Sequence, residues 1–388
     1  MPSNLIEGLV EEVTGWRRQI HENPELGYEE EKTSAFVAEQ LRAFGLDEVH
    51  TGVGITGVVG VLHGRGGPGG KAIGMRADMD ALPIDELGDP EYRSRTPGVM
   101  HACGHDGHTA LLLGAAKGLA ETRAFDGTAY FIFQPAEEGG AGALKMIEDG
   151  LFTRFRIDEV YGLHNAPGVD IGKFEIRTGP LLAAVDTFDI RVKAKGGHGA
   201  EPHTTADPVL IAAQIILGLQ GVVSRETRAL DSAVLSVTQL QGSNASNIIP
   251  HEVMLGGTVR TFRPEDRDRI QRRIHEVAEG IANAMGASVT IDYANGYPPT
   301  VNHPEQTAFA AKVASEIVGE AAVNDACDPI MPAEDFSYML EQRPGAFIMM
   351  GNGDSAECHM PTYDFNDAAI PTGVEYWIRL VERAMTVT

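Results

Sequence analysis

Between about residues 184 and 295 the chain reads strand, helix, strand, strand, helix, strand. That βαββαβ order folds as a self-contained split-βαβ, or ferredoxin-like, α+β layer. No neighbouring segment follows it. On either side, apolar strands alternate with helices, the pattern of a mostly parallel sheet covered by helices. The predicted fold class is therefore α/β. A discontinuous domain, residues 1–183 and 296–388, carries the mostly parallel sheet, and an α+β domain, residues 184–295, is inserted into it. A length of 388 residues suits two such domains.

The flanking segments support this division. Leu5, Leu9, Val13, Trp16 and Ile20 recur at helical spacing until His21-Glu22-Asn23-Pro24 stops the run. A second helix is expected from Glu31 to Phe44, closed by Gly45, and a buried one from Thr109 to Leu119. Strands are expected around 57–64, 71–81 and 127–133. Acidic residues number 55 against 31 basic, a net charge of −24, which repels phosphate backbones and anionic lipid. Nucleic-acid and membrane partners are therefore not expected. Three cysteines, Cys103, Cys327 and Cys358, argue for a reducing compartment rather than a disulfide framework. With no leader-like or membrane-spanning segment to read, the expectation is a soluble, cytoplasmic protein.

One motif misleads. Gly52-Val53-Gly54-Ile55-Thr56-Gly57 spells a dinucleotide fingerprint, but that motif works only where the glycine turn opens a helix. Here an apolar strand follows, so no nucleotide site is expected.

The chemistry sits elsewhere. Three of the thirteen histidines fall within His101-Ala102-Cys103-Gly104-His105-Asp106-Gly107-His108. A thiolate and an imidazole two apart, at the head of a helix, suit a borderline-soft divalent ion. Cys103 and His105 are the expected ligands, with His101 and His108 divided between supporting and purely structural roles. Glu137 and Glu138 follow an apolar strand, where α/β folds place their sites. On an extended segment the two carboxylates would diverge, one to a metal and one to protons. His164, at another apolar strand end, and His359, held by Pro361, complete a candidate set. Asp78 and Asp80 alternate onto one face, and one of them could orient a metal-bound imidazole. Cys103, His105, Glu138, His164 and His359 exceed the needs of one tetrahedral ion. They suggest two ions sharing a water, with Glu137 as its base, which is equipment for amide hydrolysis. A non-catalytic metal-binding protein would keep the ligands but need no Glu137.

Ten segments carry a resemblance that runs nearly end to end: RRQIHENPELGYEE, MRADMDALPI, HACGHDGHTA, FQPAEEGGAGA, GLHNAP, KGGHGAEPHTTADPV, NIIP, GTVRTF, AEDFSYM and PTYDFND. The chain resembles the hippurate hydrolase branch of the zinc-type aminoacylase and carboxypeptidase superfamily. That branch includes N-acyl-amino-acid amidohydrolases, indole-acetyl-amino-acid hydrolases and N-acetyl-diaminopimelate deacetylases. The resemblance implies a metallopeptidase catalytic domain with two divalent ions, Mn²⁺ or Zn²⁺, on Cys103, His105, Glu138, His164 and His359. It makes Glu137 the general base and Asp80 the residue that orients the site. It implies a homodimer built through the inserted domain, and it matches His198, Asn247 and Arg260 to positions that reach the substrate. If the inserted domain dimerises through its sheet edge or helices, His198 is expected to serve the partner's site. The substrate class is a small N-acyl amino acid, with dipeptides as the alternative. Two departures stand out. Asp78 replaces the first histidine of the superfamily's His-x-Asp, and Cys358 replaces a common leucine before the last histidine.

Overall fold

Four parallel strands, Gly127–Gln134, Lys71–Asp78, Glu159–Ala166 and Gly345–Gly351, lie side by side in the computed structural model, which describes residues 2–387. They form the centre of an eight-stranded mixed sheet. Antiparallel pairs flank these four: Gly57–His63 joins Gly127–Gln134 and is itself flanked by Glu48–Val53, and the short strand Phe174–Glu175 runs against Gly345–Gly351, with Val323–Asn324 parallel to that short strand at the far edge. Strand Gly127–Gln134 is buried along its whole length, as expected for a strand covered on both faces. Parallel strands share one carboxyl edge, so Asp78, Gln134 and Ala166 end on the same side of the sheet.

Helices Pro2–Glu22, His105–Thr122 and Ile370–Ala384 pack on one another beside this sheet. The middle helix is apolar almost all round, with Ala110–Ala116 entirely buried, so it can exist only inside a core. It begins at His105, four residues before the expected Thr109. Gly104 makes the early start possible, with φ of +92° at the N-cap. A Cβ there would stand 2.3 Å from Asn165 Nδ2 and 2.5 Å from Tyr363 Oη, so only glycine fits.

The dinucleotide-like glycines form a hairpin turn between Glu48–Val53 and Gly57–His63, with Gly52 and Gly54 at positive φ. Strand Glu48–Val53 was not legible in the sequence, because it is a half-exposed edge without a clean apolar alternation.

The second compact unit comprises Leu182–Pro299 and Pro329–Glu334. It runs a few residues beyond the expected 184–295 at each end and adds a short later segment, to which Ala183 donates its N–H at Ile330 O (3.2 Å) and Pro332 O (3.0 Å). Its sheet is antiparallel throughout, in the order Ala233–Gln241, Glu252–Thr261, Ala184–Lys193, Ser288–Asn295. Strand Ala184–Lys193 alternates buried and open residues. Phe188, Ile190 and Val192 form one core with helices Pro208–Ser224 and Pro264–Ala284. Asp207 caps the first helix by accepting the Val209 N–H at 2.9 Å.

Candidate metal centre

His105 is the fixed point of the site. Its Nδ1 lies 2.9 Å from the carbonyl oxygen of Asp80 and 3.2 Å from Asp80 Oδ1. A carbonyl can only accept, so the proton is on Nδ1 and the lone pair on Nε2. That Nε2 is buried and has no hydrogen-bond partner. Burial opposes charge on this imidazole, yet Asp78, Asp80 and Glu138 outweigh it and raise its pKa, so the site favours a cation at Nε2, a proton or a metal ion competing for the same lone pair. A buried nitrogen with an open lone pair, set among carboxylates, fits a cation.

The remaining donors converge on it from three chain segments. His164, inside strand Glu159–Ala166, donates Nδ1–H to Asn165 O at 2.7 Å and so turns its Nε2 lone pair to Cys103 Sγ, 3.4 Å away. Burial and the neighbouring imidazoles hold His164 neutral, at about 3. Glu138 Oε1 lies 3.0 Å from His359 Nε2, and the Glu138 N–H donates to Asp80 Oδ2 at 2.9 Å. His359 sits at φ +67°, its N–H bonded to Ala102 O at 2.7 Å. Donor atoms within 4.8 Å of one another form the groups Cys103–His105–His164, Cys103–Glu138–His359 and His105–Glu137–Glu138. Thiolate, imidazole and carboxylate together suit Zn²⁺ or Mn²⁺, and the overlapping groups provide for two ions.

Glu137 and Glu138 do not lie on an extended segment. They open a tight turn, Glu137–Gly140, after Ala136 at φ +48°. The turn is cradled by the segment Gly27–Glu30. Glu30, wholly buried, accepts the Ala136 N–H at 2.8 Å and the Thr56 hydroxyl at 2.6 Å, and Tyr28 Oη donates to Gly140 O at 2.7 Å. No local spacing signals this partnership, since more than a hundred residues separate the two segments.

His108 braces the cluster, while His101 does not. His108 donates Nδ1–H to Asp78 Oδ1 at 2.7 Å and accepts the Asn165 N–H at 3.0 Å on Nε2, so both nitrogens are engaged. Asn165 also donates to Cys103 O at 2.6 Å and accepts the Tyr363 hydroxyl at 2.8 Å. His101 is buried with neither nitrogen bonded, and burial depresses it to about 4. Beneath the helix start, Asp106 Oδ2 meets Arg17 Nε and His21 Nδ1, each at 2.9 Å. All three side chains are buried.

His198, Asn247 and Arg260 belong to the inserted unit. His198 pairs with Ile248 in a two-stranded ribbon, and the Gly199 N–H donates to Asn247 O at 2.9 Å. His198 and Asn247 are exposed there, and Arg260 is half-buried on strand Glu252–Thr261.

Soft and hard donors gathered around one unsatisfied nitrogen, with an additional glutamate at the carboxyl edge of a parallel sheet, define a metal-dependent hydrolase. The comparisons make this particular. The sequence model of Peptidase family M20/M25/M40 matches residues 74–383, and the chain belongs to that family. It is 42% identical to the hippurate hydrolase of Campylobacter jejuni over 364 residues, which covers 94% of each chain. It is 43% identical to the IAA-amino acid hydrolase ILR1-like 2 of Arabidopsis thaliana, over 93% of this chain and 83% of that one. Among solved structures it is similar to the YXEP protein of Bacillus subtilis, a dinuclear metal-binding peptidase of the M20 family. The TM-score there is 0.85 at 33% identity, covering 98% of this chain and all of that one.

Proposed function

We propose that this chain hydrolyses the amide bond of N-acyl amino acids, releasing a carboxylate and a free amino acid. Cys103, His105, Glu138, His164 and His359 would hold two divalent ions, Mn²⁺ or Zn²⁺. The observation that carries this reading is the buried, unpartnered His105 Nε2 amid those donors. The 42% identity to a hippurate hydrolase supports the substrate class.

When bound there, divalent ions would supply polarisation of the acyl carbonyl and a lowered pKa for water. Glu137 accepts a proton from the attacking water on its carboxylate and delivers it to the departing amine nitrogen as the C–N bond breaks. Asp80 keeps the His105 proton on Nδ1 and aims the Glu138 backbone. His198, Asn247 and Arg260 contact the substrate, Arg260 through its planar fork to the free carboxylate. The ribbon holding His198 beside Asn247 favours their acting together.

The same reading has the protein as a homodimer through the inserted unit. Leu210 and Leu217 are 53% and 73% exposed on helix Pro208–Ser224, more apolar surface than a solvated helix needs. Residence in the cytoplasm is supported by three free cysteines, and no described helix is long and apolar enough to cross a membrane. A panel of benzoyl-, acetyl- and indole-acetyl-amino acids, with unacylated dipeptides beside them, tests the function on metal-reconstituted protein. Cleavage of acyl amides that stops on chelation is expected. Cleavage of free dipeptides alone, or of none, overturns the reading.

A further inference from the structure

The ligand set leaves unexplained a guanidinium buried in the adjoining strand. Arg76 is 1% exposed, inside strand Lys71–Asp78, and its three nitrogens reach three separate side chains. One terminal nitrogen donates to Asp78 Oδ2 at 2.7 Å, Nε to Gln134 Oε1 at 2.8 Å, and the other terminal nitrogen to Asp335 Oδ1 at 3.1 Å. Each acceptor leads to a different part of the metal centre.

Asp78 leads to His164. Its second oxygen takes the His108 Nδ1–H, and His108 in turn takes the N–H of Asn165, the residue after His164. Gln134 leads to the glutamates. It is the last residue of its strand, and its amide donates to Pro135 O at 3.2 Å and Asp335 Oδ1 at 2.8 Å. Asp335 closes the far side of the same loop by accepting the Ala143 N–H at 2.9 Å. The guanidinium therefore joins the strand end before Glu137 and Glu138, the loop after them, and the strand that bears His164.

Charge gives the second half of the argument. Asp78 Oδ2 lies 3.7 Å from His105 Nε2, and Asp78, His105 and His108 form a ligand-capable group. By position Asp78 is thus a competitor for a metal. Both of its oxygens are already engaged, however, one by Arg76 and one by His108. It acts as a fixed negative charge beside His105.

We propose that Arg76 is a positioning residue of the metal centre, holding Asp78 off the ions and tying the ligand-bearing segments of Glu138 and His164 to one strand. This rests on the reading that those residues hold divalent ions. Lysine cannot replace Arg76, because a single ammonium cannot meet three acceptors in a fixed plane.

Removing the charge with Arg76→Met would leave buried carboxylates uncompensated and disturb folding, so it is not the informative variant. The test uses full-length, metal-free protein carrying Arg76→Lys or Asp335→Asn. Mn²⁺ and Zn²⁺ are titrated calorimetrically, and Co²⁺ absorption reports ligand geometry. Arg76→Lys is expected to weaken metal affinity by roughly 10–100-fold, the range for outer partners of metal ligands, and to alter the Co²⁺ spectrum. Its kcat should fall more than its KM rises and recover in excess metal. Asp335→Asn should shift affinity the same way, by less. Unchanged metal affinity and an unchanged Co²⁺ spectrum in the folded variants, whatever their thermal midpoints, would overturn the proposal and leave Arg76 a purely structural ion pair. Wild-type protein that binds no divalent ion would instead overturn the metal-centre reading beneath it, and this shows before any variant is made.

Discussion

Asp80 grips His105 by the nitrogen that faces away from the other ligands, through both its carbonyl (2.9 Å) and its carboxylate (3.2 Å). With its other oxygen on the Glu138 N–H, one residue sets two members of the proposed ligand set. Asp80→Ala should therefore weaken metal binding by about 10–100-fold. Calorimetric titration of the metal-free variant checks this. Wild-type affinity would remove Asp80 from the role of orienting the site.

Glu137 and Glu138 should part company on mutation. Glu137→Gln is expected to retain both ions and lose about 10²–10⁴-fold in kcat, as removal of a general base does. Glu138→Gln should lose metal. Elemental analysis beside steady-state kinetics separates the two, and the opposite pattern would exchange their roles.

Metal binding should release a proton from Cys103. The hydrogen bond with Cys358, then burial, then nearby negative charge hold the Cys103 thiol well above its ordinary value, whereas Cys358 is lowered by the same contact. A thiolate ligand must shed that proton, so affinity falls as pH falls. Calorimetry in buffers of different ionisation enthalpy counts the protons released. For the same reason alkylation of metal-free protein near neutral pH should reach Cys358 before Cys103, a preference read by peptide mapping.

Stability should decline in mildly alkaline solution. Burial disfavours a charged His21, but its hydrogen bonds to Asp106 and Glu86 prevail and lift it to about 9 from an ordinary 6.5. Its stabilisation is complete below about pH 6.5 and is lost as pH rises through 9, about 3 kcal/mol in all. Denaturant unfolding across that window measures it. His21→Gln should be less stable at pH 6 and flatter in profile, and an equally steep decline in the variant would acquit His21.

Mixed dimers test where His198 acts. Combining Glu137→Gln with His198→Ala subunits restores one complete site per hybrid if His198 serves its partner, so statistical exchange returns about a quarter of wild-type activity. No recovery despite proven exchange places His198 within its own chain or outside the reaction.

The ligand candidates could be picked out because Cys103 and His105 stand at the head of an apolar helix, Glu138 just after an apolar strand and His164 near the end of another. The α/β class was legible for the same reason, since buried parallel strands read as continuous apolar runs. What holds the ligands in place was not. Asp335 lies 259 residues from Arg76, and Asp106 lies 85 from His21, so no local spacing links either pair. A hint was present nonetheless: a fully buried arginine between apolar strand neighbours has to be paired, and Asp78 two residues on was one visible partner. The early helix start at His105 depended on a left-handed Gly104 wedged against Asn165 and Tyr363, a tertiary fact.

His359 is 54% exposed at its side chain, while Cys103 and His105 are buried and His164 is partly buried. The donor cluster thus has a door and a back wall. An ion held by Cys103, Glu138 and His359 would meet solvent through the open His359 ring, whereas one held by His105 would lie behind buried side chains, so a chelator would reach the first before the second.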